Sequence, residues 1–154
     1  EFKEISYKKV GEKEYFANFQ DLTSFTIEQG TTTDFELVYK DSDGNPVDLT
    51  GYRAHMQLKD SIGGSNTYLI LSSSLRADGT GLNMSGSGGD LASKDPMSGS
   101  IGVYISHTTS SNLSFGTAVY DLELISGSGN TTVVTRLLQG KIKLSKEVTT
   151  GGNY

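Results

Sequence analysis

Three acid or amide side chains at alternate positions, Asp41, Asp43 and Asn45 in the stretch YKDSDGNPVDLTGY, could share a calcium ion. A helix-flanked calcium loop needs glycine at its sixth position and a bidentate carboxylate at its twelfth. Counted from Asp41, those places hold Pro46 and Tyr52, and strand-like alternation lies on both sides. Asp, Ser, Gly, Asn and Pro instead favour a turn, in which short side chains accept backbone amides. The stretch is therefore read as a tight connection between strands, with no metal site assigned. A weak, low-affinity cation site from Asp41, Asp43 and Asp48 is the alternative.

Other chemistry finds less support. Nucleophilic hydrolysis needs a base beside a hydroxyl or thiol. The only histidines are His55, at an outward strand position, and His107, at the start of a turn, and their spacing matches no zinc signature. Asp34 with Glu36, and Asp121 with Glu123, fall on one strand face roughly 7 Å apart. That distance suits a glycosidase, but such a site also needs one carboxyl in an apolar pocket and aromatics around a cleft. Simple alternation explains both pairs as solvated strand faces. The Gly-rich SGSGGD, 85–90, lacks a phosphate-binding lysine and a following helix, so it reads as a flexible loop. No catalytic residue and no cofactor are assigned, and the chain is expected not to be an enzyme.

The elements around these residues are short. With 154 residues, 34% of them hydrophobic, and 19 glycines, the chain suits one domain of many strands joined by tight turns. A net charge of −5 argues against nucleic acid, which needs clustered cations, and against anionic membranes. No apolar run approaches the ~18 residues of a membrane helix, and EFKEISYKKVGEKEYF has no hydrophobic signal segment, so a soluble protein is expected. Without cysteine, packing and hydrogen bonds alone must hold the fold.

Alternation marks the strands. Phe25 and Ile27, then Phe35, Leu37 and Tyr39, then Ala54, Met56 and Leu58 are the inward sets of the first half. Tyr68 to Leu71 is a further apolar run. The stretch from Arg76 to Ser100 is rich in Gly and Ser and reads as a long loop, with one short strand at Leu82 and Met84. Ile101, Val103 and Ile105 follow, and HTTSSNL forms a short helical turn capped by Ser106 or Thr108. Tyr120, Leu122 and Leu124 share one face of a strand, SGSGN closes a hairpin, and Val133 to Leu138 returns. A bulge is expected at Gly140 before Ile142 and Leu144. Tyr120, after a turn at Gly116, resembles the tyrosine corner of sandwich domains, whose hydroxyl bonds to upstream backbone.

The first twenty residues mix Lys and Glu with Phe2, Tyr7, Tyr15, Phe16 and Phe19. Large anchors on a solvated segment describe an arm that docks on a neighbouring subunit, or an edge strand or disordered leader that packs on its own domain. Those five aromatics are the candidate interaction residues. The expected organisation is an arm over 1–21, a sandwich over 22–148 and a flexible tail over 149–154. The expected fold is all-β: an immunoglobulin-like antiparallel β-sandwich with an N-terminal arm and one short helical turn.

Two stretches together, FTIEQGTTTDFELVYKDSDGNPVDLTGYRAHMQLKD and YDLELISGSGNTTVVTRLLQGKIKLSKEVT, resemble small structural proteins of tailed bacteriophages, including domains like the N-terminal part of upper baseplate proteins and immunoglobulin-like virion proteins. The resemblance covers roughly 22–150, with a divergent middle from Ile62 to Ser100. It implies a non-enzymatic virion component of the tail, baseplate, fibre or head surface. Its partners would be other virion structural proteins, and it would act as a homo-oligomer or in multiple copies. The family pattern brings no active-site residues. A second reading is a carbohydrate-binding sandwich for host-surface adhesion, with Tyr52, Tyr68 and Tyr104 as stacking platforms.

Overall fold

The computed structural model describes residues 24–41, 43–84 and 99–148 in full and the backbone of 4–9 and 14–18. Ten strands run in chain order: β1 (Glu4–Lys9), β2 (Glu14–Asn18), β3 (Ser24–Glu28), β4 (Thr33–Lys40), β5 (Arg53–Lys59), β6 (Thr67–Ser72), β7 (Gly81–Asn83), β8 (Ser100–Ile105), β9 (Thr117–Ser126) and β10 (Val133–Ser145). A short helix, α1 (His107–Ser111), lies between β8 and β9. The strands form two five-stranded sheets, β2-β1-β4-β8-β7 and β3-β10-β9-β5-β6, packed as an all-β sandwich.

The inward sets read from alternation meet between the sheets. Phe35, Leu37, Ile101, Val103 and Ile105 come from the first sheet, and Ile27, Met56, Leu58, Leu122, Leu124 and Ile142 from the second, all buried. Each such side chain contributes about 1.5–3 kcal/mol relative to exposure. Phe25, half-buried on β3, meets Phe35 edge-on at 5.2 Å and Tyr120 at 5.0 Å, so one aromatic cluster joins β3, β4 and β9.

Three local expectations need correction. First, pairing is not wholly antiparallel: β3 lies parallel to β10, with Ile27 opposite Leu144. Alternation shows which face a residue takes, not which strand lies beside it. Second, the bulge falls between Arg136 and Leu138, whereas Gly140 pairs in ladder with Tyr120. The reason is packing: Leu137 and Leu138 are both buried, and consecutive inward side chains require an extra residue in the strand. Third, the hairpin loop carries a second helical turn, a 3₁₀ turn at Gly129–Thr131. Val47 and Leu49 belong to no strand. Pro46 makes a single bridge to Lys40, and buried Leu49 seals the core from a loop.

For the first twenty residues the sequence left two readings open. Glu4–Lys9 and Glu14–Asn18 lie in the first sheet as a hairpin whose inner strand pairs antiparallel with β4. The tail 149–154 and loop residues 85–98 lie outside the described residues.

Gln29 closes the seam between the ends of β3 and β10. Its backbone amide donates to the Ser145 carbonyl at 2.8 Å, its Nε2 to the Leu113 carbonyl at 2.6 Å, and its Oε1 accepts the Glu147 amide at 3.1 Å. Next to it, Gly30 N donates to Ser110 Oγ at 2.9 Å.

Candidate assembly surface

Of the five aromatics expected to mediate interaction, Tyr7, Tyr15 and Phe16 belong to the β1–β2 hairpin, where Tyr7 stands opposite Tyr15 and Phe16 opposite Ser6 in the backbone register. Phe2 and Phe19 lie outside the described residues. β2 ends the first sheet, so this hairpin forms one of its edges.

The opposite edge of that sheet is β7, three residues long. In the second sheet β6 is an edge, with Tyr68 and Ile70 exposed. Here the Arg76 guanidinium donates from Nη2 to the Ile70 carbonyl at 3.0 Å, occupying an edge acceptor that another strand would need. The other edge is composite. β3 pairs only with Lys141 to Ser145 of the thirteen-residue β10. From Val133 to Gln139, β10 has a strand neighbour on one side only among the described residues, β9.

The acidic turn is built as a turn. Asp41 Oδ1 accepts the amides of Asp43 at 2.9 Å and Asn45 at 3.0 Å, and the Gly44 amide closes on the Asp41 carbonyl at 3.0 Å. Asp48 Oδ1 accepts the Thr50 amide at 2.9 Å, and its bonds to Thr50 hold its carboxyl below the usual range. Backbone amides engage the carboxylates of Asp41 and Asp48. Among the described residues no three His, Asp or Glu side chains cluster in a way that could hold a metal.

The carboxylate pairs sit differently from each other. Asp121 faces Arg136 Nε at 3.6 Å on the outer face of β9 and β10. Glu36, expected in solvent, is buried, with Ser100 Oγ donating to it at 3.3 Å. The cause is position: β4 is the central strand of its sheet, so β1 and β8 shield its outer face from both sides. His55 is half-buried opposite Glu123 in the β5–β9 register, and His107 is exposed as the first residue of α1.

Tyr120 occupies the expected strand but does not make the expected bond. Its hydroxyl is buried and has no hydrogen-bond partner among the described residues, and burial pushes its pKa up to about 12. A corner tyrosine would donate to upstream backbone, so the likeness to that feature fails at its defining contact.

Sequence reasoning passed over Asp78. Its Oδ2 accepts from Ser106 Oγ at 2.6 Å and Thr109 Oγ1 at 2.8 Å, and its Oδ1 from the Thr80 amide at 2.9 Å. These bonds, Ser106's foremost, hold the carboxyl far below the ordinary carboxylate range. The readable signal was Asp78 two residues before Thr80, a pattern that favours a side chain accepting a local amide. Of the two candidate caps, Ser106 and Thr108, it is Ser106 that caps α1.

The three candidate stacking tyrosines do not share a face. Tyr52 precedes β5, Tyr68 lies on the bulged start of antiparallel β6, and Tyr104 lies on β8 in the other sheet, beside Gly79. Tyr68 stacks on Phe115 with ring centres 4.8 Å apart, so one of its faces is already used. Among the described residues no helix is long and apolar enough to cross a membrane.

No family model matches the chain, and no curated protein matches it. Among solved structures it is similar to a chain from work titled "Structural basis of T cell specificity and activation by the bacterial superantigen toxic shock syndrome toxin-1". That likeness has 10% identity and a TM-score of 0.42, over 79% of this chain and 92% of that one. A score of this size carries no argument about what the chain does.

Proposed function

We propose that the chain is a non-enzymatic structural component of a bacteriophage virion, in the tail, baseplate, fibre or head surface, present in several copies. It joins neighbouring virion proteins through its N-terminal segment and its strand edges. One observation carries the reading. The two stretches that resemble phage structural proteins are far apart in sequence, yet they supply β3, β10, β9 and β5, which are contiguous in one sheet, together with β4 opposite. The resemblance therefore falls on one spatial unit of the β-sandwich. Adding a strand to such a sheet is a common mode of protein association, and repetition around a symmetric particle multiplies weak contacts.

Peptide mass spectrometry of purified particles, with electron microscopy to locate the chain, tests the proposal. Limited proteolysis gives a second readout: residues 2–19, whose described strands already pair within the first sheet, are cut more slowly on assembly than in the dilute monomer. Equal resistance of that segment in both states counts against the assembly role. The scattered placement of Tyr52, Tyr68 and Tyr104 gives the carbohydrate reading no common platform.

A further inference from the structure

We propose that Asp43 is a site of spontaneous covalent modification, where its link to Gly44 isomerises to isoaspartate, and that the bonds to the Asp78 carboxylate protect the same dipeptide at Asp78 and Gly79. This goes beyond the virion reading and does not depend on it.

Aspartate followed by glycine is prone to this reaction, because glycine has no side chain to hinder attack by its own nitrogen or to restrict the turn that brings it close. The chain holds the pair at Asp43–Gly44 and at Asp78–Gly79. The two backbones are matched. Gly44 N donates to the Asp41 carbonyl at 3.0 Å, and Gly79 N to the Arg76 carbonyl at 2.9 Å. Each turn then closes one residue later, Asp41 N on the Asn45 carbonyl at 2.8 Å and Arg76 N on the Thr80 carbonyl at 3.0 Å. Both glycines have positive φ, +83° and +90°.

The carboxyls are not matched. Asp43 is exposed, and its carboxylate has no hydrogen bond or ion pair among the described residues. In its turn it is Asp41 that accepts the backbone amides. The Asp78 carboxylate is held at both oxygens, by Ser106 and Thr109 on one and the Thr80 amide on the other. Space differs in the same sense. A Cβ on Gly44 would meet nothing within 4 Å, whereas on Gly79 it would lie 3.2 Å from the Tyr104 ring. Only the Asp43 turn has both a free carboxyl and room to bring nitrogen onto carbon.

In the reaction the Gly44 nitrogen bonds to Asp43 Cγ and the carboxyl C–OH bond breaks. Water leaves with that hydroxyl and the amide proton, closing a five-membered succinimide. Water then adds to either ring carbonyl and reopens the ring, giving aspartate again or isoaspartate, whose main chain runs through Cγ; the mass is unchanged. Loss of water needs a protonated carboxyl, and the bonds that favour ionised Asp78 oppose that too. The added backbone carbon at position 43 displaces Gly44 N from the Asp41 carbonyl. It thereby loosens the turn that sets Val47 N on the Tyr39 carbonyl at 2.9 Å.

The test ages the full chain near pH 5, warm but below its melting temperature, and maps its peptides. Isoaspartate is read at each site by enzymatic carboxyl methylation and by electron-transfer fragmentation. Position 43 is expected to convert at least about tenfold faster than position 78 in the folded chain. In urea the two rates converge. Thr109→Val, which removes one hydroxyl from Asp78 and leaves the Ser106 cap in place, speeds position 78 and leaves position 43 unchanged. No isoaspartate at position 43 in the folded chain, or equal rates at the two sites, overturns the proposal. A gap that persists in urea also overturns it, because neighbouring sequence rather than structure then sets the rates. An unchanged rate at position 78 in Thr109→Val removes the protective role of the Asp78 bonds.

Discussion

Ser106 donates its hydroxyl proton to Asp78 Oδ2 over 2.6 Å while its oxygen accepts the Thr109 amide at 3.1 Å. One side chain thus caps α1 and ties that helix to the loop leading into β7. Ser106→Ala is expected to lower stability by about 0.5–2 kcal/mol, read by urea denaturation.

The same contact sets an acid limit. The folded-state pKa of Asp78 lies below its ordinary value of 3.8, so the stability it contributes is present above pH 3.8 and is lost as pH falls below it. The fall in melting temperature between pH 5 and pH 2 should therefore shrink in Asp78→Asn. An unchanged acid limb in that variant would assign the fall to other carboxylates.

Tyr120 makes the opposite kind of prediction. Its hydroxyl is buried without a partner among the described residues, so Tyr120→Phe removes an uncompensated polar group and should stabilise the fold by about 1–2 kcal/mol. A hydroxyl anchored to upstream backbone would give a loss instead. Because the folded pKa is raised from 10.0 to about 12, the wild type loses stability as pH rises from 10 through 12, and the phenylalanine variant loses less. Melting curves at pH 9 and pH 11 for both proteins measure the difference.

The Asp41 turn needs its carboxylate for two amides. Asp41→Ala should cost roughly 1 kcal/mol, because the Asp43 and Asn45 amides both lose an acceptor. Millimolar calcium should leave the wild-type melting temperature unchanged. A rise of several degrees would mean that Asp41, Asp43 and Asp48 share an ion.

Gly99 and Gly44 separate backbone strain from crowding. Both have positive φ, +71° and +83°. A Cβ on Gly44 meets nothing within 4 Å, so Gly44→Ala costs about 1–2 kcal/mol for the left-handed backbone alone. On Gly99 it would strike the Tyr39 carbonyl oxygen and approach Val47 N at 3.2 Å, so Gly99→Ala should cost distinctly more. Equal losses in the two variants would show that the chain before β8 shifts freely.

How far the sequence was legible depends on what each signal reports. Phe35, Leu37 and Tyr39, or Ala54, Met56 and Leu58, alternate cleanly because each strand has one face on the core, and all are buried as read. Ser106 was legible because an N-cap is a local device. Non-local facts were not. The parallel partnership of β3 with β10 joins residues more than a hundred positions apart, and nothing in the run from Phe25 to Ile27 encodes it. Glu36 misled because its burial comes from neighbouring strands rather than from its own pattern. Asp78 stayed hidden because two of its three partners come from the far side of β8. At the candidate surface, the composition of the first twenty residues suggested contact, but their place as a hairpin on the edge of the first sheet shows only in the pairing of β1 with β4.

The parallel pairing of β3 with β10 has a mechanical side. Tension drawn between Ser24 at the start of β3 and Glu147 just beyond β10 pulls the two strands in opposite directions along their length. The five residue pairs from Ser24 opposite Lys141 to Glu28 opposite Ser145 are then loaded together in shear, not peeled apart one by one. Gln29 adds its own bonds at the loaded end. A module built this way resists a steady pull across the sandwich far better than a prising force applied at the hairpin tip.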